Sequence, residues 1–203
     1  MEGAAEMTVL QYLHHVDQSL TLAVNSLNSP FSDRIWMFFS SIPVWIPLYA
    51  VVAFFLLRNL GWKRGLTMLL ACGLTFAACD QCGNLVKDAV ERLRPCWDLN
   101  MVNGGLHILE DKGGLYGFYS AHAANAMGFA WCSVQAFSAD SGRNYRPYRI
   151  GITVWALLVG LSRVFVGKHF LGDVCAGFIV GLVFASVFAK MAFLTIRRFG
   201  LES

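Results

Sequence analysis

Charge is what this chain has least of. Of its 203 residues only 14% are Asp, Glu, Lys or Arg, whereas 56% are hydrophobic. Soluble domains carry about 25% charge, so a water-soluble globule is excluded and an all-α integral membrane protein is expected. The six cysteines lack the arrangement of a disulfide framework, since only Cys96 falls clearly in a segment expected outside the membrane. Cys79 and Cys82 are spaced C-x-x-C, but inside an apolar run and without a second ligand pair. They read as packing residues and not as a zinc site. There is no internal repeat, no low-complexity tract and no cluster of acidic metal ligands. Neither a basic n-region nor a small-residue cleavage site precedes Gln11, so no secretory leader is expected. These absences leave a single membrane-embedded domain, 1–203, with no cofactor and no metal.

What the chain has in excess is long apolar runs. Residues 44–60, 65–86, 121–139, 150–166 and 170–196 each approach the ~20 residues that span a hydrocarbon core. Residues 8–27 are mixed, setting His14, His15, Asp17 and Gln18 among Leu10, Leu13, Leu20, Leu22 and Val24. That segment reads as an amphipathic interfacial helix or a weak first span packed on the others. Counting it gives a compact bundle of about six helices. Asn28-Ser29-Pro30 ends it, and Ser32 or Asp33 is expected to cap a short helix running into Trp36, Met37 and Phe38.

The basic residues orient the bundle. Arg58, Lys63 and Arg64 follow the first of the five spans, Arg143, Arg146 and Arg149 follow the third, and Arg197 and Arg198 follow the fifth. With alternating spans all three groups fall on one side, which the positive-inside rule makes cytoplasmic. The net charge of +3 is then a topological signal, and nucleic acid is not an expected partner. The opposite, exported side receives the loop 87–120 and the corner 163–169. The expected location is the inner membrane, multi-pass, with that face toward the periplasm.

Three clusters of chemically capable residues fall on the exported side. In the first, Lys87 and Arg94 are seven apart, two helical turns, so a continuous helix ended by Pro95 sets both cations on nearly one face. In the second, Ser120 is a natural N-cap for a helix whose free N–H groups suit an anion, with His122 in its first turn. In the third, His169 and Asp173 are four apart on one helical face, so the carboxylate can orient the imidazole, and a turn brings Arg163 to the same place. Each cluster has a plainer explanation: Arg163 and Lys168 as snorkelling anchors, Lys87 or Arg94 as a cation at a helix C-terminus, His122 as a satisfied polar residue. Their common side argues for one site. Three cations, a helix N-terminus and two histidines suit a bound phosphate and transfer through a covalent phosphohistidine, with His169 attacking and His122 acting as acid and then base.

Lys87-x6-Arg94-Pro95, Tyr119-Ser120-Ala121-His122 and Ser162-Arg163-x5-His169-x3-Asp173 resemble, in order, the three signature motifs of the type 2 phosphatidic acid phosphatase family. The resemblance spans about half the chain. It implies a compact helical bundle that dephosphorylates lipid phosphates and pyrophosphates without a metal. It further implies that Lys87, Arg94, Ser120, Ala121 and Arg163 bind phosphate, that His122 is the general acid, and that His169 with Asp173 forms the nucleophile pair. The second motif of the family usually reads Pro-Ser-Gly-His, so Tyr119 and Ala121 are departures; the added methyl of Ala121 bears on how phosphate approaches.

The expected partners are the bilayer and a lipid phosphate, with no obligatory protein partner. Polyprenyl pyrophosphate, phosphatidylglycerol phosphate and lipid A phosphate all qualify as substrates; the sequence does not choose among them, and a polyprenyl pyrophosphate or a phosphatidyl lipid is the expectation. The loop 96–119 is long enough to line the headgroup entrance, with His107 as a surface residue. Two other functions use the same cationic pocket: binding or translocating a lipid phosphate without turnover, and vanadate-dependent peroxidase chemistry.

Overall fold

The computed structural model of the chain describes residues 8–201, and within them the backbone forms eight α-helices and no strand. They are α1 (Val9–Asn25), α2 (Pro30–Ser40), α3 (Ile46–Leu60), α4 (Trp62–Val90), α5 (Leu99–Asn103), α6 (Ala121–Phe137), α7 (Arg146–Phe165) and α8 (Leu171–Arg198). Residues 1–7 and 202–203 of the expected domain lie outside the described residues. The count exceeds the expected six because it includes the short helix expected at Trp36 to Phe38, now α2, and the short α5, which interrupts the loop read as a connection. The start of α2 is also corrected. Ser29 caps it, with Pro30 in the first turn and Ser32 reciprocating as the third helical residue, so neither Ser32 nor Asp33 is the cap.

Four stretches are long and apolar enough to cross a membrane: Ile42–Leu60, Trp62–Val90, Arg146–Phe165 and Leu171–Arg198. The remaining expected span, 121–139, forms α6, whose 17 residues rise only about 25 Å. It packs against α4, α7 and α8. Its face toward α8 is built from small residues, Ala123, Ala124 and Gly128, against Gly177, Gly181 and Ala185. In a bilayer, where apolar side chains gain nothing by leaving lipid, close backbone approach of this kind supplies much of the association. A methyl on Gly177 would sit 2.6 Å from the Ser120 carbonyl oxygen, and one on Gly181 would collide with that of Ala124. The opposite face of α8 carries Ile179, Val183, Val187, Met191 and Leu194, all exposed at intervals of three or four residues. Such a stripe suits contact with lipid.

α1 reverses the usual amphipathic arrangement. Thr21 and Asn25 are buried, whereas Val9, Leu10, Leu13 and Leu20 are exposed. Its polar face points into the protein: Asn25 Nδ2 donates to the carbonyls of His107, Val164 and Phe165, its Oδ1 accepts from His107 N–H, and Thr21 accepts from Leu171 N–H. At the far end of the bundle Arg143 donates to Asn59 Oδ1 at 2.9 Å, joining two of the basic connections. The three groups of motif residues lie at the other end.

The seam yields a direct test. Gly181→Ala is expected to cost about 1–3 kcal/mol by forcing α6 and α8 apart, seen as a lower thermal midpoint in detergent. Gly73→Ala, with nothing within 4 Å of the added methyl, is expected to be neutral or stabilising by up to about 1 kcal/mol. Equal losses at both positions would contradict the close approach.

Candidate active site

The corner between α7 and α8 is tightly wound. The Arg163 carbonyl accepts from both Lys168 N–H and His169 N–H, at 3.0 and 3.1 Å. Gly167 turns the chain with φ +77°, in a place where a Cβ would lie 2.8 Å from the His107 carbonyl oxygen. This winding buries Arg163, Lys168, His169, Phe170 and Asp173. His169 Nδ1 lies 3.4 Å from Asp173 Oδ2 without the alignment of a closed hydrogen bond. The expected proximity of the pair is therefore present, with Nδ1 on the aspartate side and Nε2 turned elsewhere.

Asp173 is held from three directions. Its Oδ2 accepts from Phe170 N–H at 3.1 Å, capping α8 from inside, and its Oδ1 accepts from Arg92 Nη1 at 2.7 Å. Its own carbonyl accepts from Ser120 N–H at 3.0 Å, which joins the start of α8 to the start of α6. Arg92 was not anticipated as part of the site. Its second nitrogen donates to Asp17 Oδ2 at 2.6 Å, and its guanidinium lies 4.1 Å over the Phe170 ring. Asp17 in turn accepts from Gly172 N–H at 2.8 Å. A chain of charge-assisted bonds thus runs from α1 through Arg92 to the partner of His169.

The expectation that Lys87 and Arg94 share a helical face is corrected. α4 ends at Val90, and Glu91 adopts a left-handed conformation with φ 51°. The chain then turns, so that Arg92 to Arg94 pair with Leu115 to Gly117 through Gly117 N–H to Arg92 O and Arg94 N–H to Leu115 O. Arg94 Nε donates to the Tyr116 carbonyl at 3.0 Å. Lys87 stays in the last turn of α4, and the turned loop brings Arg94 back. Lys87, Arg94, Arg163 and His169 all come close enough to act electrostatically on His122. Three of the expected cations and both histidines are thus gathered at one place, around the start of α6.

Ser120 is buried and caps α6, accepting from Ala123 N–H at 3.4 Å, and Ala121 follows in the first turn. Tyr119, in place of the usual proline, donates its hydroxyl to the Cys79 carbonyl at 2.9 Å and so pins this motif to α4. Arg163 faces Glu110, whose carboxylate oxygens are 3.3 Å from Nη1, and donates also to Ser40; its Nε is buried without a partner. Lys168 is no membrane anchor. It is buried and donates to the Asp111 carbonyl, fastening the long loop over the corner. His107 Nε2 pairs with Asp33 at 3.0 Å, outside the gathered group. All six cysteines are free, and Cys79 is buried.

Burial dominates the titration of His169, pushing its pKa down to about 4; Asp173 opposes the shift, and Arg163 and Arg94 add to it. The ring is therefore neutral at pH 7.

Residues 62–197 match the model of the PAP2 superfamily. The chain belongs to the PAP2 superfamily. It is similar to the lipid A 4'-phosphatase of Bacteroides thetaiotaomicron, 34% identical over 175 residues that cover 85% of this chain and 75% of that one. The lipid A 4'-phosphatase of Porphyromonas gingivalis is 28% identical over 177 residues, covering 86% and 72%. The fold is that of the transmembrane PAP2-type phosphatidylglycerolphosphate phosphatase of Bacillus subtilis, with a TM-score of 0.71 at 22% identity over 89% of this chain and 86% of that one. Aquifex aeolicus LpxE aligns with a TM-score of 0.62 at 20% identity, covering 85% and 93%. This PAP2 protein is a multi-pass membrane phosphatase.

The signal for Asp17 was present in the sequence as a polar stripe at His14, Gln18, Thr21 and Asn25. For Arg92 there was none, because continuing α4 through Pro95 assigns it to an outward face.

Two measurements follow from this geometry. Arg92→Ala and Asp17→Asn should each lower kcat by roughly 10- to 100-fold with little change in KM, since neither touches the gathered cations; an unchanged kcat would disconnect α1 from the site. For His169, the folded pKa near 4 lies below the ~6.5 of a free imidazole. Unfolding therefore takes up a proton between these values, and stability falls as the pH drops through that window. In nitrogen-15 histidine spectra, one resonance missing from His169→Gln should keep its neutral shift down to about pH 5. A midpoint near 6.5 would contradict the burial argument.

Proposed function

We propose that this chain hydrolyses the phosphate monoester of a membrane lipid at the exported face of the inner membrane, through a phosphohistidine on His169. The observation that carries the reading is the neutral, buried His169 beside Asp173, within the electrostatic reach of Arg94 and Arg163. A glycolipid phosphate of the lipid A kind is the best-supported substrate, because it is what the two bacterial relatives are named for. The face follows from the basic connections. Arg58, Lys63 and Arg64 share one end of the bundle with Arg143, Arg146 and Arg149, away from the gathered histidines.

Each residue then has a task in the reaction. Lys87, Arg94 and Arg163 neutralise the phosphate, and the N–H groups opening α6 at Ala121 with the Ser120 hydroxyl take its remaining oxygens. His169 Nε2 attacks phosphorus while Asp173 retains the proton on Nδ1. As the P–N bond forms, the P–O bond to the lipid breaks. Its electron pair stays on the leaving oxygen, which receives a proton from His122. The now neutral His122 takes a proton from water, whose oxygen bonds to phosphorus as the P–N bond breaks. Phosphate leaves with His169 neutral and His122 protonated again. The positive charge supplied by side chains does the work that a metal ion does elsewhere.

The test is phosphate release from purified protein in detergent with lipid A, phosphatidylglycerol phosphate and a polyprenyl pyrophosphate. His169→Ala is expected to lower turnover by at least about 10³-fold while lipid binding persists. A chelator should leave the rate unchanged, and vanadate should inhibit by imitating five-coordinate phosphorus. Wild-type turnover by His169→Ala would refute the covalent route, and loss on chelation would refute neutralisation by side chains.

A further inference from the structure

One charged side chain near these histidines has no task in that mechanism. Asp80 lies in α4, two turns before Lys87 and so about 10 Å deeper along the membrane-spanning helix. An ionisable group at such a depth is costly enough to mark a functional surface. It borders a cavity of about 210 Å³ that His122 also lines, floored by Trp45, Tyr49 and Phe76 and edged by Asn125. Asn125 stands one turn beyond His122 on α6 and donates Nδ2 to Asp80 Oδ1 at 2.8 Å. Asp80 itself is exposed, and its Oδ2 has no partner among the described residues. Here one oxygen is fixed by Asn125, which aims the carboxylate, and the other stays free beside the cavity.

His122 marks the place where the leaving oxygen must sit, so whatever that oxygen is attached to is next to this cavity. We infer that the cavity is the leaving-group subsite and that Asp80, aimed by Asn125, is its specificity-determining residue. It accepts hydrogen bonds from a leaving alcohol that carries hydroxyl or ammonium groups, and it disfavours a pyrophosphate. When a monoester is cleaved, the departing oxygen takes the proton of His122 and becomes a neutral alcohol. When a pyrophosphate is cleaved, the departing group is a lipid monophosphate that keeps its negative charge close to the carboxylate. Discrimination thus comes from a repulsive element as much as from an attractive one. The aromatic floor suits the apolar face of a sugar ring, and the same carboxylate also accepts from a glycerol headgroup. The inference rests on the lipid monoesterase reading and deepens it.

The experiment compares kcat/KM of the full chain in detergent for lipid A, phosphatidylglycerol phosphate and a polyprenyl pyrophosphate, in wild type, Asp80→Asn, Asp80→Ser and Asp80→Glu. Wild type should favour at least one monoester over the pyrophosphate, and the better of the two identifies sugar or glycerol as the preferred leaving group. Either neutral variant should shift the monoester-to-pyrophosphate ratio by at least about tenfold toward the pyrophosphate. Asp80→Glu, which keeps the charge, should stay within about threefold of wild type. Inhibition by vanadate should be unchanged throughout, which reports an intact phosphate cradle in any variant used. A ratio that does not move in the neutral variants, or that moves as much in Asp80→Glu, would overturn the role of Asp80 while leaving the hydrolysis reading intact. A wild type that cleaves none of the three lipids would overturn both.

Discussion

A buried carboxylate at the membrane boundary is the constraint to which the rest of this structure answers. Asp173 is wholly inaccessible, and a desolvated anion of that kind is tolerated only when charge and hydrogen bonds replace the lost water. Arg92 and Phe170 N–H supply them. Each supplier comes from a different part of the chain. Arg92 lies beyond the end of α4, where Glu91 breaks the helix, and it is itself compensated by Asp17 of α1. Removing any one member strands a charge, which is why such networks fail cooperatively. The same bonds that stabilise the carboxylate also fix it beside the imidazole.

The two ends of the bundle obey different physics. At the site end, polar groups are numerous, buried and bonded, and the loops that carry them are clamped by Asn25, Lys168 and the Arg92 to Gly117 pairing. At the opposite end, basic residues are mostly exposed and serve orientation. Between them the helices are joined by Gly177, Gly181 and the alanines of α6, where a close fit replaces the hydrophobic drive that lipid removes. That seam carries a catalytic consequence, because Ser120 and Asp173 are the first residues on either side of it and are joined directly through their backbones.

Much of this was legible in the chain, and the unread parts share a cause. Long apolar runs revealed the helices because length and hydropathy are local properties. The nearness of His169 and Asp173 was legible from their spacing, although His169 lies in the corner before α8 and not on its face. Spacing failed at Lys87 and Arg94, where a left-handed Glu91 ends the helix four residues early, and no propensity argument anticipates that position. The polar residues of α1 were visible, and they left open an interfacial helix or a weak span packed on the others. Only tertiary structure shows that Gly172, Leu171, His107 and Arg92 are their partners. Arg92 was unreadable for the same reason: its meaning lies 75 residues away at Asp17 and 81 residues away at Asp173.

Arg163 shows how the proposed phosphate cradle remains stable without its phosphate. Three cations drawn to one place repel one another, and burying a guanidinium adds a desolvation cost. Glu110 meets part of that cost at 3.3 Å, and Ser40 takes a further hydrogen bond. The Glu110 side chain is only partly buried, so it can exchange its ion pair for water at modest expense. In the proposed reaction an arriving phosphate therefore meets an arginine already oriented, with Nε still unsatisfied. It brings up to two negative charges where the carboxylate brought one. Affinity for the dianion then comes from the difference between two anions in one preformed place, and little reorganisation is required at the moment of binding.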